Sequence, residues 1–248
     1  MNPRLEMKMK PLLESWEEYT AKIIEEPDLV SFSEYLNNKI RSFLLNPRTI
    51  GELQTAQAGE EFSVTIDKGE LFAGYKTLND VYLAVTVNDQ GSAHIGAYYL
   101  CVPEDRSQSN LVIEINMPRD YDELEGFEEW LEVDLEDALS HELQHSCDST
   151  DILTSDIPEG EAKWESLDSI YNHFASEAET RGHLAGIKGR IRAMSRRGQE
   201  ATIEKIVAAK VNDIYEEAVE RGFPSNDLGA VMTAIWQEWT RYLKGWNE

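Results

Sequence analysis

The sequence predicts an α+β fold: an antiparallel sheet of about four strands packed on one central helix, a helical C-terminal part after it and a helical N-terminal extension before it. Three observations point there. Between Glu60 and Tyr121 apolar residues alternate with polar ones, the period of half-buried strands. On either side they recur every three or four residues, the period of amphipathic helices. Directly after the alternating region, Leu131, Leu135, Leu139 and Leu143 form a stripe on one helix whose other face carries His141 and His145. A chain of 248 residues, 41% of them hydrophobic, can fill one large core or a core with an appendage. The expected division is an extension over 1–48 and a main domain over 49–248, with sheet and central helix in 49–147 and a helical part in 148–248.

Each element has its own signal. Leu12, Trp16, Tyr19 and Ile23 place one apolar stripe on a first helix, which Pro27 interrupts. A second helix fits Phe32 to Leu45, with Ser31 and Glu34 as a capping box and Pro47 just past its end. Strands follow at Phe62-Val64-Ile66, Val81-Leu83-Val85-Val87, His94-Gly96-Tyr98-Leu100 and Leu111-Ile113-Ile115. Asn88-Asp89-Gln90-Gly91 is a turn between the second and third, and Pro118 closes the last. Asp134 is the expected N-cap of the central helix. Near the C-terminus, Ile203, Val207, Val211 and Ile214 suit a helix ending at Gly222-Phe223-Pro224, and Leu228, Val231, Ile235 and Trp239 suit another after Ser225. Trp236, Trp239, Tyr242 and Trp246 make its end aromatic, the composition of a core or of a docking surface.

The chemistry is concentrated in Ser140-His141-Glu142-Leu143-Gln144-His145, which has the form H-E-x-x-H. On a helix this spacing puts His141 and His145 one turn apart on one face, close enough to share a metal ion. Glu142 sits beside them, where a carboxylate can take a proton from a water that the metal activates, the work of a general base in zinc-dependent hydrolysis. Zn2+ is therefore the expected cofactor, His141 and His145 are expected ligands and Glu142 is the expected catalytic base. His94, alone in a strand, reads as structural. Cys101 and Cys147 are too few for a disulfide framework, and Cys147 reads as a small residue packed under the helix end.

Over roughly residues 60–190 the order of sheet, H-E-x-x-H helix and further helices resembles the zincin metallopeptidases. The resemblance implies hydrolysis of peptide bonds in a peptide or protein substrate, with an edge strand of the sheet holding the extended substrate through main-chain hydrogen bonds. In the glutamate-ligand branch it implies a third metal ligand from a second helix, in the form E-x-x-A followed by a polar residue. Ser176-Glu177-Ala178-Glu179-Thr180-Arg181-Gly182-His183 is the segment that answers to it. On that pattern Glu177, with the small Thr180 three positions on, comes first, and Glu179, with Gly182 there, comes second. Two residues apart on one helix, they point about 200° away from each other, so only one can face a metal. Asp151, at the metzincin-like spacing from His145 but with Asp148 in the glycine position, and Glu159, in an E-G step like that of some aminopeptidase-like zincins, are further alternatives. Tyr171, His173, Arg181 and His183 are near enough in sequence to stabilise an oxyanion.

A net charge of −24 repels nucleic-acid backbones and anionic membranes, so neither is an expected partner, whereas a basic protein is. No apolar run approaches a membrane span, and Met1 to Lys10 lacks a signal-peptide core, so the cytoplasm is the expected compartment. Lys10-Pro11-Leu12-Leu13-Glu14-Ser15-Trp16 resembles short amphipathic leaders at the ends of some tailed-phage head proteins, which admits a virion origin. Two readings of other classes stand beside the enzyme: an acidic, non-catalytic interaction or virion protein on a zincin scaffold, and a nucleic-acid mimic.

Overall fold

The computed structural model describes residues 27–72, 75–89, 91–148, 165–200 and 203–245. Among them run helices α1 Pro27–Leu44, α2 Pro47–Thr55, α3 Phe127–Cys147, α4 Leu167–Phe174, α5 Glu177–Arg196, α6 Ile203–Glu220 and α7 Ser225–Gly245, besides one isolated helical turn at Gly69–Phe72. Strands are β1 Glu61–Ile66, β2 Asp80–Asn88, β3 His94–Leu100 and β4 Asn110–Pro118. The expected helix over Leu12 to Ile23 lies outside the described residues. None of the described helices is long and apolar enough to cross a membrane.

The mixed α/β architecture with a four-stranded sheet is present, in the order β1-β2-β4-β3. β1 pairs with β2 and β3 with β4 antiparallel, as expected, but β2 and β4 run parallel. The reason is apolar content. β2 and β4 bury Val81, Leu83, Val85 and Val87, and Leu111, Ile113, Ile115 and Met117, so they take the centre, where neighbours on both sides complete their hydrogen bonding. The more polar β1 and β3 become edges. The turn after β2 therefore steps over one strand position, and β4 fills it; Asn88 Nδ2 ties that turn to Ser92 O at 2.9 Å.

The described residues form two compact units, one from Asp28–Thr150 with Gly182–Ala201 and one whose described residues are Pro27 and those in 165–181 and 203–245. In the first, the apolar rows of β2 and β4 share a core with Leu131, Leu135, Leu139 and Leu143 of α3 and with Phe32, Leu36, Ile40 and Leu44 of α1. Residues 27–44, assigned above to an extension, thus supply core to the same unit as the sheet. Pro27 is the first residue described in α1, a place in a helix where a missing N–H costs little. Ser31 and Glu34 lie inside that helix instead of capping it. Likewise α3 begins at Phe127, after Gly126 in the left-handed region (φ 77°), and not at Asp134. Phe127 explains the earlier start, because its ring packs 5.0 Å from that of the buried Tyr121 and anchors a first turn rich in acid.

A polar seam ties α1, α3 and α5 together. The Glu136 side chain is 0% exposed; it accepts hydrogen bonds from Ser33 Oγ at 2.6 Å and Asn37 Nδ2 at 3.0 Å, and it pairs with Arg192 at 3.6 Å and Arg196 at 3.3 Å. Glu132 pairs with Arg41 at 3.2 Å and Arg197 at 3.0 Å.

In the second unit, Ile170 and Phe174 of α4, Ile206, Val207, Ile214 and Ala218 of α6, and Leu228, Met232, Ile235 and Trp239 of α7 are buried. Trp239 Nε1 donates to Phe174 O at 2.8 Å, so this aromatic serves packing. Helix α5 starts in this unit and continues unbroken into the first.

Removing the charge of the buried Glu136 takes a charged acceptor from Ser33 and Asn37 and from the partly exposed Arg192 and Arg196, so Glu136→Gln is expected to cost about 1.5–3 kcal/mol of unfolding free energy. Urea unfolding followed by circular dichroism measures it; a change below about 1 kcal/mol, the range of exposed ion pairs, would show the seam to be solvated.

Candidate metal centre

The two imidazoles come from the last turns of α3. His141 and His145 are both buried, with their rings edge to face and 4.8 Å apart at the centroids. Their Nε2 atoms approach to 3.0 Å. Two ring nitrogens that both offer lone pairs repel at this distance, so the pair requires either one shared proton or a cation between them.

Helix α5 packs across this face antiparallel to α3, and three glycines set how closely it can approach. A Cβ at Gly189 would lie 2.5 Å from Glu136 O, one at Gly186 3.0 Å from Asp137 O, and one at Gly182 2.7 Å from His141 Nε2. The helices are therefore in backbone contact, closer than any side chain permits. Flanking the seam, Arg190 pairs with Asp134 at 2.8 Å and Asp137 at 3.5 Å. Burial works against the Arg190 charge, but the two carboxylates more than offset it and raise its pKa.

One turn before Gly182, the same helix carries Glu179. Its carboxylate joins the two imidazoles: the ligand atoms of His141, His145 and Glu179 all lie within 4.8 Å of one another. Two nitrogens and a carboxylate oxygen converging this way can hold a metal ion, and the crowded Nε2 pair supplies a reason for one to be there. Local contacts hold Glu179 in place. Ser176 Oγ accepts from Glu179 N at 3.2 Å at the start of α5, and the buried His173 brings Nε2 to 3.7 Å from Glu179 Oε1. His183, one turn after Glu179, stands edge-on to His141 with centroids 4.6 Å apart.

Glu142 points toward the sheet. Its Oε2 accepts the main-chain N–H of Tyr99 on the edge strand β3 at 2.8 Å, and its Oε1 is 3.9 Å from His141 Nε2. The carboxylate is thus fixed beside the two imidazoles with one oxygen committed to the strand.

His141 and His145 stand together with Glu142 beside them, and the third member of the group is the second of the two glutamates weighed above. Glu177 is not in the cluster; Glu179 is, because the two residues face opposite ways on α5 and the one whose face carries Gly182 and His183 meets α3. The signal was in the sequence: glycine, the smallest residue, stands three positions after Glu179. Asp151 and Glu159 lie outside the described residues. Cys147 is exposed and not packed under the helix end, its Sγ 3.2 Å from the Tyr75 hydroxyl, and it is no part of the ligand group. His94 is exposed on β3. Tyr99 and Arg106 belong to no motif or periodic stripe, and Gly182 and Asp148 enter the sequence reading only as pattern positions.

A methyl group at Gly182 would crowd His141 Nε2, so Gly182→Ala is expected to lower divalent-metal affinity about tenfold or more, in line with the ~1–3 kcal/mol cost of overpacking. Calorimetric metal titration tests it; unchanged affinity would mean that the metal does not sit where His141 Nε2 faces Gly182.

The chain matches no protein-family model, no curated protein and no solved structure, so what this site does must be argued from its own residues.

Proposed function

We propose that the protein is a zinc-dependent peptidase of the zincin type. The observation that carries this reading is the convergence of His141, His145 and Glu179 with Glu142 fixed beside them by the edge strand. Two imidazoles and one carboxylate are the donor set of catalytic zinc sites, three protein groups that leave a fourth position for water or substrate. Zinc bound there would supply Lewis-acid activation of a water and polarisation of the scissile carbonyl.

The remaining work belongs to the chain. Glu142 is the general base: Oε2 is held by Tyr99 N–H, which leaves Oε1, on the imidazole side, to take the proton from the attacking water and return it to the leaving amine. Strand β3 is an edge of the sheet, and alternation along an antiparallel strand turns the main-chain groups of Ile95 and Ala97 the same way as the Tyr99 N–H. An extended peptide substrate adds along that edge. His183, beside His141, and His173, beside Glu179, are the two histidines near enough to steady charge that develops at the carbonyl oxygen.

The net charge of −24 supports a second reading, in which the same scaffold binds a basic protein without turnover. One substitution separates the two. Glu142→Gln is expected to retain zinc and to lose peptide cleavage by about 10²–10⁴-fold, the usual contribution of a general base. Chelation should abolish cleavage and added zinc restore it. A zinc-loaded parent protein that cleaves no member of a broad peptide library, while still binding a basic partner, would favour the second reading over the first.

A further inference from the structure

The end of α3 beyond the second imidazole is built more elaborately than a helix terminus requires. Asp148, the first residue after α3, has a side chain that is 0% exposed. Its Oδ2 lies 3.5 Å from His145 Nδ1, the nitrogen on the far side of the ring from the metal face, and its Oδ1 accepts Gln144 Nε2 at 3.0 Å. A carboxylate is buried only where partners compensate its lost hydration, so this one is committed to that pocket. A second device holds it there. Arg106, from the 3-10 turn between β3 and β4, donates to His145 O at 2.9 Å, to Ser146 O at 2.6 Å and to Asp148 O. The helix ends here, where Asp148 N–H donates to His145 O at 3.3 Å, and a guanidinium at this point also complements the negative end of the helix dipole. The guanidinium lies over the Tyr99 ring, 5.7 Å from its centroid.

We propose that Asp148 and Arg106 form one positioning pair for His145: the carboxylate fixes the ring orientation and the tautomer with hydrogen on Nδ1, which keeps the Nε2 lone pair for the metal, and the guanidinium holds the backbone that carries the carboxylate. The inference rests on the zinc reading above, but it concerns metal affinity and not turnover. Neither residue touches the metal face. Their effect passes through His145, because an imidazole free to rotate or to shift its proton offers Nε2 to a metal only part of the time.

The test is zinc affinity of the full-length protein, read by competition with a chromophoric chelator, alongside thermal unfolding of the metal-free form. Asp148→Asn is expected to weaken zinc binding about 10–100-fold, the usual effect of losing such a partner, with the metal-free unfolding midpoint little changed. Arg106→Gln should weaken it in the same direction, and the double variant should lose no more than the worse single one, because the two act in series. Where Arg106→Gln fails to fold, Arg106→Lys carries the same comparison. Parental zinc affinity in Asp148→Asn overturns the proposal, as do additive losses in the double variant or a lowered unfolding midpoint with unchanged affinity. A parent protein that binds no zinc overturns it together with the zinc reading. A parent that binds zinc but cleaves no peptide, with Asp148→Asn weakened, leaves this inference standing and removes the peptidase.

Discussion

The arrangement depends on two helices lying closer together than side chains allow. Gly182, Gly186 and Gly189 give α5 a bare face, and that face meets His141, Asp137, Ser140 and the Glu136 carbonyl of α3. Each glycine costs about 1 kcal/mol of helix propensity relative to alanine, so three of them on one helix must be offset. Close packing of the two helices offsets it, and charges line the same seam, where Arg190, Arg192 and Arg196 on α5 and Arg197 just past its end face Asp134, Asp137, Glu132 and Glu136 on α3. Cations lie on one helix and carboxylates on the other, so the pairing has a direction. Glu179 lies one turn before Gly182 on the same helix.

Partly exposed arginines paired with buried carboxylates contribute little net stability, since lost hydration offsets much of the attraction, but a shifted register would leave a buried carboxylate uncompensated. The seam is therefore better understood as an alignment device. Ser33 and Asn37 extend it to α1, which explains why that helix, apolar on one side through Phe32, Leu36, Ile40 and Leu44, belongs to the same core as the sheet. Hydrophobic burial holds the three helices together, and the polar seam selects how they slide.

Most of this was legible where a short-range period or a motif encodes it. Alternation at Val81-Leu83-Val85-Val87 and Leu111-Ile113-Ile115 gives strands, and the leucines of α3 give its buried face, because burial of alternate or every-fourth residues is a local property. The order of strands is not local. That β4 lies between β2 and β3 follows from competition for the sheet centre, which involves all four strands at once. The choice between Glu177 and Glu179 is not local either: a pattern read along one helix asks for a small residue, whereas the closeness of α5 to His141 on another helix asks for glycine. The contact of Arg106 with the segment around Asp148 had no signal, because it joins the ends of elements far apart in sequence.

The edge strand joins Glu142, the proposed base, to the surface on which a substrate would lie. Tyr99 N–H takes one oxygen of Glu142, so any slip of β3 along β4 would move the base as well as the main-chain groups of Ile95 and Ala97. A slip of one residue would also turn every side chain of β3 to the opposite face. Two contacts oppose it: Tyr98 donates its hydroxyl to Glu114 Oε1 at 2.6 Å on the outer face, and Tyr99 donates its own to Thr77 O at 2.7 Å. The hydrogen bond to Glu114, with burial adding to it, pushes the Tyr98 pKa up to about 12, so this phenol keeps its proton, and its bond, through neutral and moderately alkaline pH. In the proposed chemistry, one strand register thus sets both where a peptide pairs and where its attacking water loses a proton, so the two cannot drift apart.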